Sequence, residues 1–230
     1  MLRSHKVTAA LISGVAISLI GGAASAQEFT PKQAGQLLVR LRGIAVAPVE
    51  NGTWKLPSGA EIAGSGTTLG SSQVPEADFS YFITDNIAVE LIAGVTRHDV
   101  KVNVSGTQIA NAGHVWLLPP TATVQYHPFP AAQFSPYIGA GINYTFFFNA
   151  GGWDSSSGVP LTKVKYSDNV GGAFQVGFDY ALSGPWSLNL DVKKLILSTT
   201  ARATSPGIGV LKSDVEINPW IVGIGAGYRF

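Results

Sequence analysis

An all-β fold, an eight-stranded antiparallel transmembrane β-barrel of the up-and-down meander type, is predicted for this 230-residue chain by three observations. The first is the C-terminal strand. Counted back by twos, Phe230, Tyr228, Ala226, Ile224, Val222 and Trp220 form one apolar row with aromatics at both ends, and Arg229, Gly227, Gly225, Gly223 and Ile221 form the other face. An aliphatic band between aromatic girdles suits a strand that crosses lipid. The second is composition. Charged residues make up only 13%, with 10% aromatics and 27 glycines, yet nothing beyond the N-terminal stretch reaches the roughly 18 consecutive apolar residues of a helical span. A closed ladder is the remaining way to satisfy every backbone group in lipid.

The third is the N-terminus. Arg3 and Lys6 precede an apolar stretch over 7–20, and Ala24-Ser25-Ala26 supplies a small-x-small cleavage pattern. Residues 1–26 are therefore expected to be a cleaved signal peptide and 27–230 the barrel domain. Removing Arg3 and Lys6 leaves 13 basic against 14 acidic residues, a net charge of −1. With no basic run or aromatic-basic interleave, nucleic acid is not an expected partner. The absence of cysteine excludes disulfides and Cys-ligated metals.

The strands follow from period-two alternation. In the first, over 37–47, Leu38, Arg40, Arg42, Ile44 and Val46 share a face; two arginines cannot face lipid cheaply, so that face is the lumen. The second, over 74–84, points Ala77, Phe79, Tyr81 and Ile83 outward and Glu76, Asp78, Ser80 and Phe82 inward. Asp85-Asn86 turns tightly into the third, where Ile87, Val89, Leu91, Ala93 and Val95 face out and Glu90, Ile92, Gly94 and Thr96 face in. The fourth, over 116–127, contains Pro119-Pro120, which predicts a bulge or the strand's upper end there. The fifth (136–148), sixth (172–181), seventh (186–199) and eighth (220–230) alternate in the same way, with Gln175, Asp179, Asn189, Asp191 and Lys193 inward.

An even strand number places both termini in the periplasm. The connections then alternate: short after strands two, four and six, and long over 48–73, 98–115, 149–170 and 200–214, as an outer-membrane barrel requires. A soluble eight-stranded barrel with its apolar rows turned inward fits the alternation too. The aromatic strand ends and the loop asymmetry favour outer-membrane lipid as the partner of those rows.

With these elements in place the chain resembles the OmpW family of small outer-membrane barrels. The resemblance is carried by Thr84-Asp85-Asn86-Ile87-Ala88-Val89-Glu90-Leu91, Leu118-Pro119-Pro120-Thr121, Pro136-Tyr137-Ile138-Gly139-Ala140-Gly141-Ile142-Asn143-Tyr144, Gln175-Val176-Gly177-Phe178-Asp179-Tyr180 and Ala226-Gly227-Tyr228-Arg229-Phe230. It implies a narrow, rather apolar lumen that passes or binds small hydrophobic solutes. It also implies that Tyr228 and Phe230 are an assembly signal for the outer-membrane assembly machinery.

Inside the barrel, Arg40 and Arg42 are expected to pair with Asp78 and Glu90, because isolated buried charges are costly. This charged layer is either a gate or an ion-pair network that holds the barrel together. Toward the long loops the inward side chains become apolar: Ile44, Val46, Ile92, Leu195 and Leu197, with Trp54, Leu56 and Trp153 placed to extend that surface. The pattern predicts an apolar vestibule over a charged floor, with ordinary packing of a narrow barrel as the alternative. Inward glycines at 139, 141, 177, 223, 225 and 227 either open a thin bore or make room for Tyr137, Phe82 and Arg229.

His98, His114 and His127 have no metal-type spacing, so no metal, cofactor or catalytic set is expected and the chain is not read as an enzyme. The expected function is passive passage of small hydrophobic molecules. The alternative is a non-transporting structural or surface-receptor barrel whose long loops bind a partner.

Overall fold

The structure is a computed structural model that describes residues 29–154 and 159–230. The expected signal peptide and its boundary with the barrel domain lie outside the described residues. The elements are β1 (Leu37–Ala47), β2 (Trp54–Lys55), β3 (Ser65–Leu69), β4 (Ser72–Phe82), β5 (Ile87–Gly94), β6 (Thr96–Val104), β7 (Thr107–Leu118), β8 (Thr121–Tyr126), β9 (Phe134–Gly151), β10 (Lys163–Tyr166), β11 (Asn169–Ala181), β12 (Trp186–Ile196), β13 (Ser198–Ser205), β14 (Gly209–Glu216) and β15 (Trp220–Arg229).

Eight of these form the wall, in the order β1-β4-β5-β8-β9-β11-β12-β15, each antiparallel to its neighbours. The terminal strand returns to β1, from Leu38 opposite Arg229 to Ala47 opposite Trp220, and closes the barrel. Closure leaves no edge whose N–H and C=O groups face hydrocarbon. The outward rows are the apolar ones: Leu41, Phe79, Val124, Ile142, Val176 and Ile224 all face away from the lumen. The soluble alternative, which needs those rows inward, is thereby excluded.

Two stretches expected as long loops are strands. Residues 98–115 lie in the β6–β7 hairpin, and 200–214 lie largely in the β13–β14 hairpin. They escape a search for lipid-facing apolar rows because their alternation is inverted. Along β6, Arg97, Asp99 and Lys101 point out while His98, Val100 and Val102 are buried; along β14, Lys212, Asp214 and Glu216 point out while Leu211 and Val215 are buried. An outward charge costs about 2–4 kcal/mol at the bilayer midplane, so these hairpins stand clear of the lipid as an extracellular extension. The short strands β3, β10 and β2 pair onto β6, β13 and β14 and complete it.

The boundary is marked by aromatics. Trp186, Tyr228 and Phe230 pack in sequence at the periplasmic end, with ring centroids 4.9 and 4.6 Å apart. Tyr144 and Phe146, 4.6 Å apart, and Trp220 beneath the Lys194 ammonium mark the outer end.

Candidate functional site: an apolar vestibule over a charged floor

The floor is built on register. β1 places Arg40 directly opposite Asp78 and Arg42 opposite Glu76 on β4. Arg40 grips Asp179 with two parallel bonds, Nε to Oδ1 at 2.9 Å and Nη2 to Oδ2 at 2.8 Å, while its Nη1 reaches Asp78 at 2.9 Å and the Ser80 hydroxyl at 2.8 Å. Arg42 lies 2.7 Å from Asp78 and 3.0 Å from Glu76, and donates to Asn189 Oδ1. Glu90 lies 3.5 Å from Arg40 and accepts from Thr123 at 2.9 Å and from Gln175 at 2.6 Å. Lys193 donates to Glu76 at 2.6 Å, and the Tyr137 hydroxyl donates to Asp191 at 2.8 Å.

All four expected residues, Arg40, Arg42, Asp78 and Glu90, thus meet in one network, none more than 2% exposed. Asp179, Glu76, Lys193, Asp191 and Asn189 join it. They were visible as inward polar positions, but their shared partners depend on strand stagger, which alternation does not report. Lys32 gave no signal at all, because it precedes the first strand. The N-terminal segment is tied to the periplasmic rim by Thr30 N–H to Gly184 O and Lys32 N–H to Pro130 O. There the Lys32 ammonium meets Asp179, His127 Nδ1 and Ser135 Oγ, each at 2.8 Å.

Burial, then the neighbouring Lys32 ammonium, pushes His127 down to about 2. The ring is therefore neutral, accepting from Lys32 at Nδ1 and donating from Nε2 to Gln125 at 3.1 Å. Burial also lowers Lys32, to about 8, against the opposing pull of Asp179.

The inward glycines serve this packing. A Cβ on Gly177 would lie 2.6 Å from the Tyr137 ring, and one on Gly223 would lie 3.0 Å from Ile44 and 3.4 Å from Arg42. Of the two expectations for these glycines, a thin bore or room for Tyr137, Phe82 and Arg229, the contacts at Gly177 and Gly223 fit the making of room. Tyr137 is one of the three occupants expected; the atoms nearest a Cβ at Gly223 belong to Ile44 and Arg42, and those at Gly227 to Ser187, Leu38 and Arg40.

Above the floor is a cavity lined by Ile44, Val46, Ile92, Leu195 and Leu197, with Glu76 and Lys193 at its base. These are the five expected wall residues of the vestibule. Trp54 and Leu56 sit higher, around an outer apolar cavity. Trp153 is half-buried against the same extracellular core and lines none of these cavities. A small middle cavity shares Trp54 with the outer one and Ile217 with the vestibule. His98 lines the vestibule, its Nδ1–H donating to Gly70 O at 2.6 Å and its Nε2 accepting from Thr96 at 3.0 Å; burial lowers its pKa.

The vestibule wall is interrupted at one height. β5 pairs with β8 up to Ile92 opposite Thr121, and β6 pairs with β7 from Thr96 opposite Leu117, in unbroken register. Between them Pro119 and Pro120 have no N–H to donate. On the other flank the β4–β5 ladder ends at Glu76 opposite Gly94, beside Pro75. Val95 thus lies opposite Pro75 on one side and opposite Leu118, the residue before Pro119-Pro120, on the other. A lipid-facing recess opens beside Pro120, lined by Phe79, Leu91, Pro120, Ile142 and Tyr144, and it shares Ile92 and Thr121 with the vestibule. Thr121 donates to Pro119 O at 3.0 Å and accepts from Asn143 at 3.1 Å, holding the gap in place of the missing ladder.

A closed eight-stranded barrel with apolar rows outward and charges inside is a transmembrane barrel of the outer-membrane class. Comparison with known proteins narrows this: the model of the OmpW family matches residues 33–230, and the chain belongs to that family. Outer membrane protein W of Vibrio cholerae is 36% identical over 219 residues, 93% of this chain and 97% of that protein. The crystal structure of OprG from Pseudomonas aeruginosa superposes with a TM-score of 0.81 at 31% identity, covering 88% of this chain and 99% of that one. A dibenzothiophene metabolism operon protein, PahQ, of Pseudomonas aeruginosa is 27% identical over 174 residues, 75% of this chain and 79% of that protein. The protein is an outer-membrane protein.

Proposed function

We propose that this barrel takes small hydrophobic molecules from the outer medium into the apolar vestibule and releases them sideways into the lipid through the interrupted wall beside Val95. The observation that carries this reading is the pair Ile92 and Thr121, which lines both the vestibule and the lipid-facing recess at the last rung of the β5–β8 ladder before the prolines. The packed floor supports the same direction. An apolar solute leaving downward would have to part ion pairs in a desolvated site, whereas one leaving sideways stays against apolar surface. The relative whose name refers to dibenzothiophene metabolism supports an apolar aromatic as the class of solute. Tyr228 and the exposed Phe230, whose N–H is bound to Leu37 O, act at assembly as the segment read by the outer-membrane machinery.

The test is uptake of naphthalene by proteoliposomes with a lipopolysaccharide outer leaflet, alongside planar-bilayer conductance. Uptake without ion conductance is expected, and Ile92→Glu or Leu195→Glu reduces it to the protein-free level. Wild-type uptake no faster than protein-free vesicles, or uptake indifferent to both substitutions, rejects transport and favours a barrel whose extracellular extension binds a partner.

A further inference from the structure

The middle cavity, between the outer chamber and the vestibule, carries one polar group that no other described residue uses. Its lining is apolar apart from Trp54, Thr67, Thr199 and Tyr166. Three of those four are satisfied. The Trp54 indole N–H donates to Thr67 Oγ1 at 3.1 Å, and Thr199 Oγ1 donates to Ser167 O at 2.7 Å while accepting from Ser167 N–H at 3.2 Å. The fourth, the Tyr166 hydroxyl, is buried out of water's reach and has no hydrogen-bond partner among the described residues.

A buried hydroxyl without a partner is a standing cost that folded proteins rarely tolerate, and where one persists it calls for a physical reason. Replacing Tyr166 by Phe would remove the cost at constant shape, so the hydroxyl is not explained by packing. The ring itself is well placed. β10 holds it opposite Ala201, and it stacks on Phe147 with centroids 5.9 Å apart and planes 23° from parallel. Burial alone raises its pKa, so the phenol is neutral and able to donate or accept.

We propose that Tyr166 is a specificity-determining contact in the extracellular extension, forming a hydrogen bond with apolar solutes that carry a single polar head, such as alkylphenols, as they pass from the outer cavity to the vestibule. This rests on the solute passage proposed above. A molecule moving inward must part Trp54 from the Phe147–Tyr166 pair, because those side chains line the cavity between the two others. As it does so, an apolar ring finds an aromatic stack and a hydroxyl finds the one unpaired polar side-chain atom of that lining among the described residues. A pure hydrocarbon gains only the first of these.

The test compares p-cresol with p-xylene, which differ by a hydroxyl in place of a methyl, on wild type and Tyr166→Phe in lipid nanodiscs and in lipopolysaccharide-faced proteoliposomes. Tyr166→Phe keeps the stack, so the fold is retained. Binding of p-cresol, followed by NMR, is expected to weaken by on the order of ten-fold, with p-xylene binding unchanged. Uptake of p-cresol should fall with it and uptake of p-xylene should persist. Equal changes for the two solutes, no change for either, or no binding of p-cresol by the wild type overturns the assignment. Absence of wild-type p-xylene uptake refutes transport on its own. In that event a p-cresol affinity that still depends on Tyr166 leaves this contact standing as a binding site.

Discussion

The two halves of this barrel are inside-out versions of one another. In the membrane half, apolar side chains such as Ile224 and Val124 face outward and Arg40, Arg42, Asp78, Glu90 and Asp179 fill the lumen. In the extracellular half, Arg97, Lys101, Lys212 and Asp214 face outward and Val100, Val115, Leu211 and Val215 form the interior. The backbone ladder is of one kind throughout, so the exchange reflects the solvent outside the wall. Where lipid covers the wall, polar groups can be satisfied only against one another inside. Where water covers it, the interior is free to be apolar and to hold cavities. The candidate passage lies where the two arrangements meet, just above the last ion pair and beside the paired prolines.

The largest effect that separates the halves should come from the floor. Arg40→Met leaves Asp179 and Asp78 without their shared partner and is expected to cost about 3–5 kcal/mol, read as a lower urea midpoint in lipid vesicles. A loss under about 1 kcal/mol would make the network incidental to stability.

The boundary between the halves comes next. Ile224→Arg, on the lipid-facing row of β15, should cost about 2–4 kcal/mol, while Val210→Arg, on the outward row of β14, should stay within about 0.5 kcal/mol. Equal costs would mean that lipid reaches the β13–β14 hairpin.

The periplasmic rim gives a pH signature. His127 has a folded pKa of about 2 against an ordinary value of 6.5, so the unfolded chain binds the extra proton between those limits. Its contribution is complete above pH 6.5 and is lost as pH falls toward 2. Between pH 6.5 and 5 the loss is about 2 kcal/mol at most. His127→Gln should remove this component, and an unchanged pH slope in the variant would show that the ring is already protonated in the folded state.

The smallest effect is expected at the β12–β13 junction. There Asn218, with φ of +34°, accepts Leu197 N–H at 2.9 Å through its side chain, so that the ladder is bridged rather than opened. Asn218→Ala should cost about 1 kcal/mol by the same urea midpoint, without altering uptake. A gain in naphthalene uptake would place a second opening there.

Much of this was legible in the sequence because a lipid-facing strand announces itself. The span of β1 and the inward identities of Arg40, Arg42, Ile44, Val46, Glu90, Ile92, Leu195 and Leu197 follow from period two and from the cost of charge in lipid. The β6–β7 and β13–β14 hairpins did not show, because outward Arg97, Asp99, Lys212 and Asp214 make their alternation read as loop. Pro119-Pro120 marked an irregularity, but its alignment with Pro75 across Val95 is a matter of register between strands. Lys32 and Tyr166 were beyond reach for the same reason: each acquires its meaning from side chains about 100 or 20 residues away, through contacts the pattern does not encode.

The central claim, sideways release through the wall beside Val95, is tested most directly by sewing that wall shut. The chain has no cysteine, and Val95 and Leu118 fall opposite each other in the register that joins Ile92–Thr121 to Thr96–Leu117. Naphthalene uptake by the Val95→Cys, Leu118→Cys double variant should drop to the protein-free level when oxidised and return on reduction, with the barrel folded in both states. Undiminished uptake through the disulfide-closed wall would contradict the account.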